Sequence, residues 1–207
     1  MQITEIKKEK LHLTRVICSD GSEALIDNDV CSEKCLRVGF CLDESELAAL
    51  VNESDYRRAK SRAVWYLDRM DHTEKGLYDK LLRAGFNKTA CAKVIARFIE
   101  VGLIDDERYA RNLAERLMEA NVSKRQAVQK LMQKGVPYEL AKQVLEEDQT
   151  DELQQIKNLL EKKYRTKLSG ENGAEKVFAA LVRKGFSYTD VREVLKSYIE
   201  DSEDDYV

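Results

Sequence analysis

The sequence predicts a mainly α protein: three tandem three-helix repeats in an elongated array, with a small antiparallel β extension at the N-terminus. The first sign is an internal repeat. Leu81-Leu82-Arg83-Ala84-Gly85-Phe86 returns as Leu131-Met132-Gln133-Lys134-Gly135-Val136 and as Leu181-Val182-Arg183-Lys184-Gly185-Phe186, 50 residues apart each time. The register holds downstream through Cys91, Ala141 and Val191. The second sign is periodicity, since Leu77, Tyr78, Leu81 and Leu82 and their counterparts keep the spacing of one helical face. The third is composition: 43% hydrophobic and 35% charged residues with a single proline suit a soluble, helix-rich chain rather than a sandwich or a disordered one.

Taken in order, residues 2 to 7 and 11 to 18 alternate apolar and polar, and Asp20-Gly21 is a hairpin signal before a short strand at 23 to 26. A short helix at 28 to 36 and a further strand at 38 to 41 complete the extension, residues 1–42. The first repeat spans 43–104. Asp43 and Glu46 form a capping box for a helix ending near Leu50, and Asn52 or Ser54 caps a second helix reaching Met70. Thr73 and Asn87 cap the two helices on either side of Gly85. In the second repeat, 105–148, Asp105 or Asp106, Ser123 and Pro137 open the three helices. The third, 149–200, has a first helix from Thr150 to about Arg165, a polar connection at 168 to 173, and helices at 174 to 184 and 187 to 200. Residues 201–207 form an acidic tail, read as disordered and solubilising.

The repeated glycine follows each apolar run where a helix needs a left-handed residue to satisfy its last carbonyls. Gly85, Gly135 and Gly185 are therefore read as turn residues and not as ligands.

The chain lacks an apolar run long enough to span a membrane and a signal-peptide pattern, so the expected location is cytoplasmic. Five cysteines are read as reduced core thiols. Enzyme chemistry finds no template: His12 and His72 lie far apart, and neither a phosphate loop nor a zinc pattern is present. Cys31 and Cys35 are placed on one helical face as a structural thiol pair, and Asp105-Asp106 as helix caps. Trp65, Tyr66, Tyr78, Phe86, Phe98 and Tyr109 are assigned to the core. No catalytic residue, metal or cofactor is expected.

Charge is the informative property. The net charge of −3 divides into 6 cations against 10 anions in residues 1 to 52, 11 against 7 in 53 to 104, 8 against 9 in 105 to 149, 10 against 7 in 150 to 199 and none against 5 in 200 to 207. The expected contact surface is a basic face near the glycine turns: Arg69, Lys80 and Arg83 in the first repeat, Lys124, Arg125, Lys130 and Lys134 in the second, and Arg183 and Lys184 in the third. The segment 123 to 134 carries four cations and no acid, a clustering mildly unfavourable for folding alone. It suits a phosphate backbone or an acidic protein groove.

Tyr66-Leu67-x-Arg69 before Thr73-Glu74-x-x-Leu77, then Lys80-Leu81, Gly85-Phe86, Gly102-Leu103-Ile104-Asp105-Asp106 with Tyr109-Ala110, and Leu131-x-x-Lys134-Gly135-Val136, together resemble the bacterial RecX regulatory proteins. The resemblance covers roughly residues 43 to 200. It implies a monomeric, non-enzymatic modulator lying in the helical groove of the RecA–DNA filament. Its effect there would be to inhibit filament growth, ATP turnover and strand exchange in DNA repair and the SOS response. Single- or double-stranded DNA is the second expected partner. The alternative is a stand-alone DNA-binding repressor built from helix-turn-helix units.

Overall fold

The computed structural model describes the backbone of residues 1–204 and the side chains of residues 1–200. It divides into two compact units, Met1–Asp105 and Asp106–Val207.

In the first unit, β1 (Ile3–Lys8), β2 (Leu13–Cys18) and β3 (Glu23–Asp27) form an antiparallel sheet in that order. The Asp20-Gly21 hairpin closes through Cys18 N–H donating to the Ser22 carbonyl at 2.9 Å. Alternation places Ile3, Val16, Cys18, Ala24 and Ile26 on one face, where they pack with Val30, Cys31, Leu42 and Leu50. The short helix α1 (Asn28–Glu33) follows. The strand expected at 38 to 41 is instead an isolated bridge between Gln2 and Cys41, flanked by Ile3 N–H donating to the Phe40 carbonyl at 2.8 Å. Its pairing with β1 is too short to propagate. The thiol pair is also revised. Helix α1 ends before Cys35, which is exposed with φ of 51°, whereas Cys31 is buried, so the two do not share a helical face. Cys41 is likewise exposed and outside the core.

The two helices expected between 43 and 70 are one. Helix α2 (Glu44–Leu67) runs unbroken for 24 residues from the Asp43–Glu46 capping box. Ser54 is not a cap. It is fully buried in mid-helix, and its Oγ accepts the Asp27 backbone N–H from the end of β3 at 2.7 Å. Upstream of it Leu47, Leu50 and Val51 pack on the sheet, and downstream Tyr56, Ala59, Ala63 and Leu67 pack on the first repeat's core. One helix thus serves two cores. Helices α3 (Glu74–Arg83) and α4 (Lys88–Glu100) complete the repeat, capped by Thr73 and Asn87 as expected. Asn87 also donates from Nδ2 to Asp55 on α2 at 2.6 Å, so a single side chain both caps α4 and fixes it to α2.

In the second unit, α5 (Asp106–Glu119), α6 (Lys124–Gln133) and α7 (Tyr138–Glu147) enclose a core of Ala110, Ala114, Leu131, Val136 and Leu145. Pro137 stands at the N-cap position of α7 rather than inside its first turn. The third repeat starts with α8 (Glu152–Leu159), which widens into a π-helical turn, Leu160–Tyr164, and resumes as α9 (Arg165–Leu168). The helix expected to stop near Arg165 is therefore longer and irregular. Its apolar residues Ile156, Leu160, Tyr164 and Leu168 recur every fourth position and all join one core. In a regular α-helix such a series drifts by about 40° per step, and the wider π turn absorbs the drift. Helices α10 (Gly173–Arg183) and α11 (Tyr188–Asp204) follow. The disordered tail expected at 201–207 thus begins within α11, and residues 205–207 lie outside the described residues.

All three glycine turns share one geometry. Gly85, Gly135 and Gly185 have φ of 92°, 98° and 91°. Their N–H groups donate to Leu82, Met132 and Val182, while the following residues, Phe86, Val136 and Phe186, reach back to the carbonyls of Leu81, Leu131 and Leu181. This is the Schellman arrangement with its apolar contact.

Replacing Ser54 by Ala leaves the Asp27 N–H without its acceptor and is expected to cost about 1–3 kcal/mol in urea unfolding, whereas Ser61→Ala, exposed on the same helix, stays within about 0.5 kcal/mol. A pH effect accompanies the contact between α1 and α2. Hydrogen bonds from Arg57 hold the Glu33 carboxyl below its ordinary value. A lowered folded pKa means stability complete above the unfolded value, about 4.3, and lost as pH falls through the folded one. The acid-side fall in thermal midpoint is therefore expected to be shallower in Arg57→Gln.

Candidate functional site: the basic faces

The basic residues singled out from the sequence separate into two groups, one in each unit. In the first, Arg69 and Lys80 converge on aromatic side chains. The Arg69 guanidinium lies 3.5 Å from the centre of the Trp65 ring and donates to the Trp65 carbonyl at 3.0 Å. Lys80 Nζ stands 5.0 Å from the Tyr66 ring centre and 3.3 Å from His72 Nε2. Trp65 and Tyr66 meet edge to face at 5.3 Å, so the two cations are joined through neighbouring rings. Arg83, one turn beyond Lys80, is exposed and has no ion-pair partner among the described residues.

Trp65 does not belong to the core. It is 44% exposed, between the exposed Val64 and a second guanidinium, Arg62, at 5.4 Å. Tyr66, Tyr78, Phe86 and Tyr109 are half-buried, and only Phe98 of the six aromatics is buried outright. An exposed tryptophan held between arginines has the composition of an interface centre. The signal was present as Arg62 and Arg69 at i−3 and i+4 from Trp65, a spacing that wraps the ring on a helix surface.

In the second unit the start of α6 meets the end of α10. Ser123 Oγ donates to the Lys184 carbonyl at 2.6 Å while accepting the Gln126 N–H at 3.3 Å, so the cap of one helix holds the terminus of another. Gly185 packs so closely that a Cβ there would stand 2.7 Å from Ser123 Oγ and 3.4 Å from Arg125 Cβ. This seam gathers Lys124, Arg125, Arg183 and Lys184, with Lys130 and Lys134 further along α6. Their states differ. Lys124 is committed to structure, since its Nζ donates to the Asp148 carbonyl at 2.5 Å and its N–H to Glu152 at 2.9 Å. Lys184 is half-buried and Lys134 closes α6. Arg125 and Arg183 are exposed, Lys130 is half-buried, and none of these three has an ion-pair partner among the described residues.

Other cations of this unit support the fold. Arg111 bridges Glu107 and Glu147, each at 2.8 Å, which raises its own pKa. Hydrogen bonds from Gln143 and then Arg111 lower that of Glu147. Among the described residues no three His, Cys, Asp or Glu side chains are grouped to hold a metal, and no helix is long and apolar enough to cross a membrane.

Family models for the first, second and third three-helix domains of RecX match residues 59–98, 105–145 and 150–195 in that order. The chain belongs to the RecX family. A curated relative, regulatory protein RecX of Clostridium tetani, is 28% identical over 206 residues, covering 96% of this chain and 94% of its own. Regulatory protein RecX of Streptococcus pneumoniae serotype 19F is 28% identical over 195 residues, 93% of this chain and 75% of that one. The fold is shared with a crystal structure of regulatory protein RecX, with a TM-score of 0.66, 23% identity and coverage of 95% and 98%. RecX from Lactobacillus salivarius superposes with a TM-score of 0.62 at 22% identity, over 69% of this chain and 96% of that one. The RecX modules thus carry the basic faces, and the family is one of regulatory proteins.

The seam separates two costs of adding a side chain to a left-handed glycine. Gly85→Ala, with open space around its Cβ, is expected to lose only the backbone preference, about 1–2 kcal/mol. Gly185→Ala also displaces the Ser123 hydroxyl and is expected to lose a further ~1 kcal/mol or more, read by urea unfolding of both variants.

Proposed function

We propose that this RecX chain regulates a RecA recombinase by binding the RecA–DNA filament in its helical groove and inhibiting filament growth, ATP turnover and strand exchange. It would act in the cytoplasm as a monomer and without chemistry of its own. Family membership supports the regulatory class. The observation that carries the contact is the seam between α6 and α10, where Arg125 and Arg183, with Lys130 further along α6, stay outside the fold's ion pairs while Arg111 and Lys142 are neutralised by glutamates. Cations left unpaired on a packed helical seam are complementary to an anionic surface, either protein carboxylates or DNA phosphates. Arg69, Lys80 and Arg83 offer a second cationic face on the first repeat.

The revised seam also selects the residues to test. Reversing Lys124 would break its bond to the Asp148 carbonyl and confuse folding with binding. The triple variant Arg125→Glu, Lys130→Glu and Arg183→Glu avoids that. In an assay of RecA's DNA-dependent ATPase, the unaltered chain is expected to suppress turnover, and the triple variant to require more than about tenfold more protein, which corresponds to binding weakened by some 1.4 kcal/mol or more. Its thermal midpoint should change little. Equal suppression by both proteins would remove the seam from the binding surface.

A further inference from the structure

The two edges of the N-terminal sheet are built differently. At the β1 edge a bulge between Ile3 and Glu5 breaks the register, Lys7 and Lys8 follow it, and the segment through Gly39 and Phe40 pairs with Ile3. These are devices that keep a sheet edge from recruiting another strand. Between Glu23 and Leu25 the β3 edge has none of them. Strand β3, Glu23-Ala24-Leu25-Ile26-Asp27, pairs with β2 in unbroken register and contains neither lysine nor proline.

The hairpin decides which backbone groups this edge presents. Cys18 N–H donates to the Ser22 carbonyl and Asn28 N–H to that of His12, so in the same alternation Ala24 and Ile26 bond to β2. Glu23, Leu25 and Asp27 therefore turn their N–H and C=O groups outward. The Asp27 N–H is met by Ser54 Oγ at 2.7 Å. The backbone groups of Glu23 and Leu25 have no hydrogen-bond partner among the described residues, and Leu25 is 43% exposed.

Beside this edge, within the first unit, lies an open groove of about 490 Å³. Ala24 and Val51 line it, and α2 adds Asp55 and Arg58, which follow Val51 by four and seven residues on one helical face. Three of the charges at its rim are already engaged. Arg15 is held by Glu9 at 2.9 Å and by Glu23 at 2.8 Å, and Asp55 accepts from Asn87 Nδ2 at 2.6 Å. Arg58 is less committed. It stands over the Phe86 ring, and its contact with Asp55, at 3.7 Å, is too long for a hydrogen bond.

We propose that the β3 edge and this groove form a strand-addition site for an extended peptide of another protein, carrying a carboxylate for Arg58. In antiparallel addition the peptide residues opposite Leu25 and Glu23 each exchange two main-chain hydrogen bonds with β3. The residue between them turns inward against Ala24 and Val51 and is therefore apolar. A second copy of the chain is a poorer occupant, because it brings no free acid to Arg58. Both acids of its own β3 are in use, Glu23 on Arg15 and Asp27 on the Asp29 N–H.

The test follows the backbone amides of the purified full chain by NMR and hydrogen exchange while capped octapeptides are added at millimolar concentration. The peptides alternate valine with threonine and carry one glutamate, moved along the sequence from one member to the next. In the free chain the Glu23 and Leu25 amides are expected to exchange freely and those of Ala24 and Ile26 to be protected. The tightest peptide is expected to slow exchange at Glu23 and Leu25 by more than about tenfold and to leave Ala24 and Ile26 as they were. N-methylating the two peptide nitrogens that face β3 leaves the protein untouched, removes two hydrogen bonds and is expected to weaken binding by more than about tenfold. Arg58→Gln is expected to weaken the glutamate peptide about threefold and its glutamine counterpart not at all, with little change in thermal midpoint. Three results would overturn the site: no protection of Glu23 and Leu25 by any peptide, equal binding of methylated and unmethylated peptides, or protection of the same two amides by raising the chain concentration alone. The last would assign the edge to a second copy. An equal effect of Arg58→Gln on both peptides would overturn the acidic preference. Neither RecA nor DNA is present, so this outcome is separate from that of the ATPase assay.

Discussion

Each repeat depends on one left-handed residue. A helix that ends on Ala84 or Lys184 leaves its last carbonyls unsatisfied, and only a reversal of backbone hand lets the next two N–H groups return to them. At Gly85, Gly135 and Gly185 that reversal also aims Phe86, Val136 and Phe186 into the core formed by the helices on either side of the turn. The same device recurs with asparagine at Asn121, φ of 54°, where Val122 N–H reaches the Leu117 carbonyl. Angle, closure and core packing thus share one backbone conformation.

On this frame the charged residues take two separate roles. Arg57 with Glu33 joins α2 to α1, and Arg111, paired with Glu107 on its own helix, joins α5 to Glu147 of α7. Exposed pairs of this kind contribute little energy each but define which surfaces are already neutral. The cationic surface left over gathers at the seam of α6 and α10 and around the guanidinium-flanked Trp65. The Ser123 hydroxyl makes the seam possible without using any of these cations, because it recognises only the backbone carbonyl of Lys184.

Local chemistry was legible in the sequence wherever one residue decides one conformation. The three glycine turns, the caps at Thr73, Asn87 and Ser123, and the hairpin at Asp20-Gly21 are all of this kind. Ser54 was not, because a serine caps a helix or sits inside it with equal ease, and the N–H it receives comes from Asp27 in a different element. Trp65 failed for a related reason: an apolar period counts a ring as inward whether a core or two arginines cover it. The fourfold series at Ile156, Leu160, Tyr164 and Leu168 did not announce the π turn, because the regular α5 keeps Ala110, Ala114 and Met118 on one core at the same spacing. The basic sites were legible as composition only. That the Lys124 amine is held by the Asp148 carbonyl while Arg125 beside it is not depends on how α8 approaches α6.

Helix α2 has a mechanical consequence. Its 24 residues form a rod of about 36 Å, held to the sheet at Ser54 and to the first repeat at Asp55, Ala59, Ala63 and Leu67, with Trp65 near its C-terminal end. A rod packed on both sides of its midpoint bends little, so the direction in which Trp65 leaves the helix is set by both cores at once. The small sheet is thus part of what orients the aromatic side chain, through the half of the helix that packs on it.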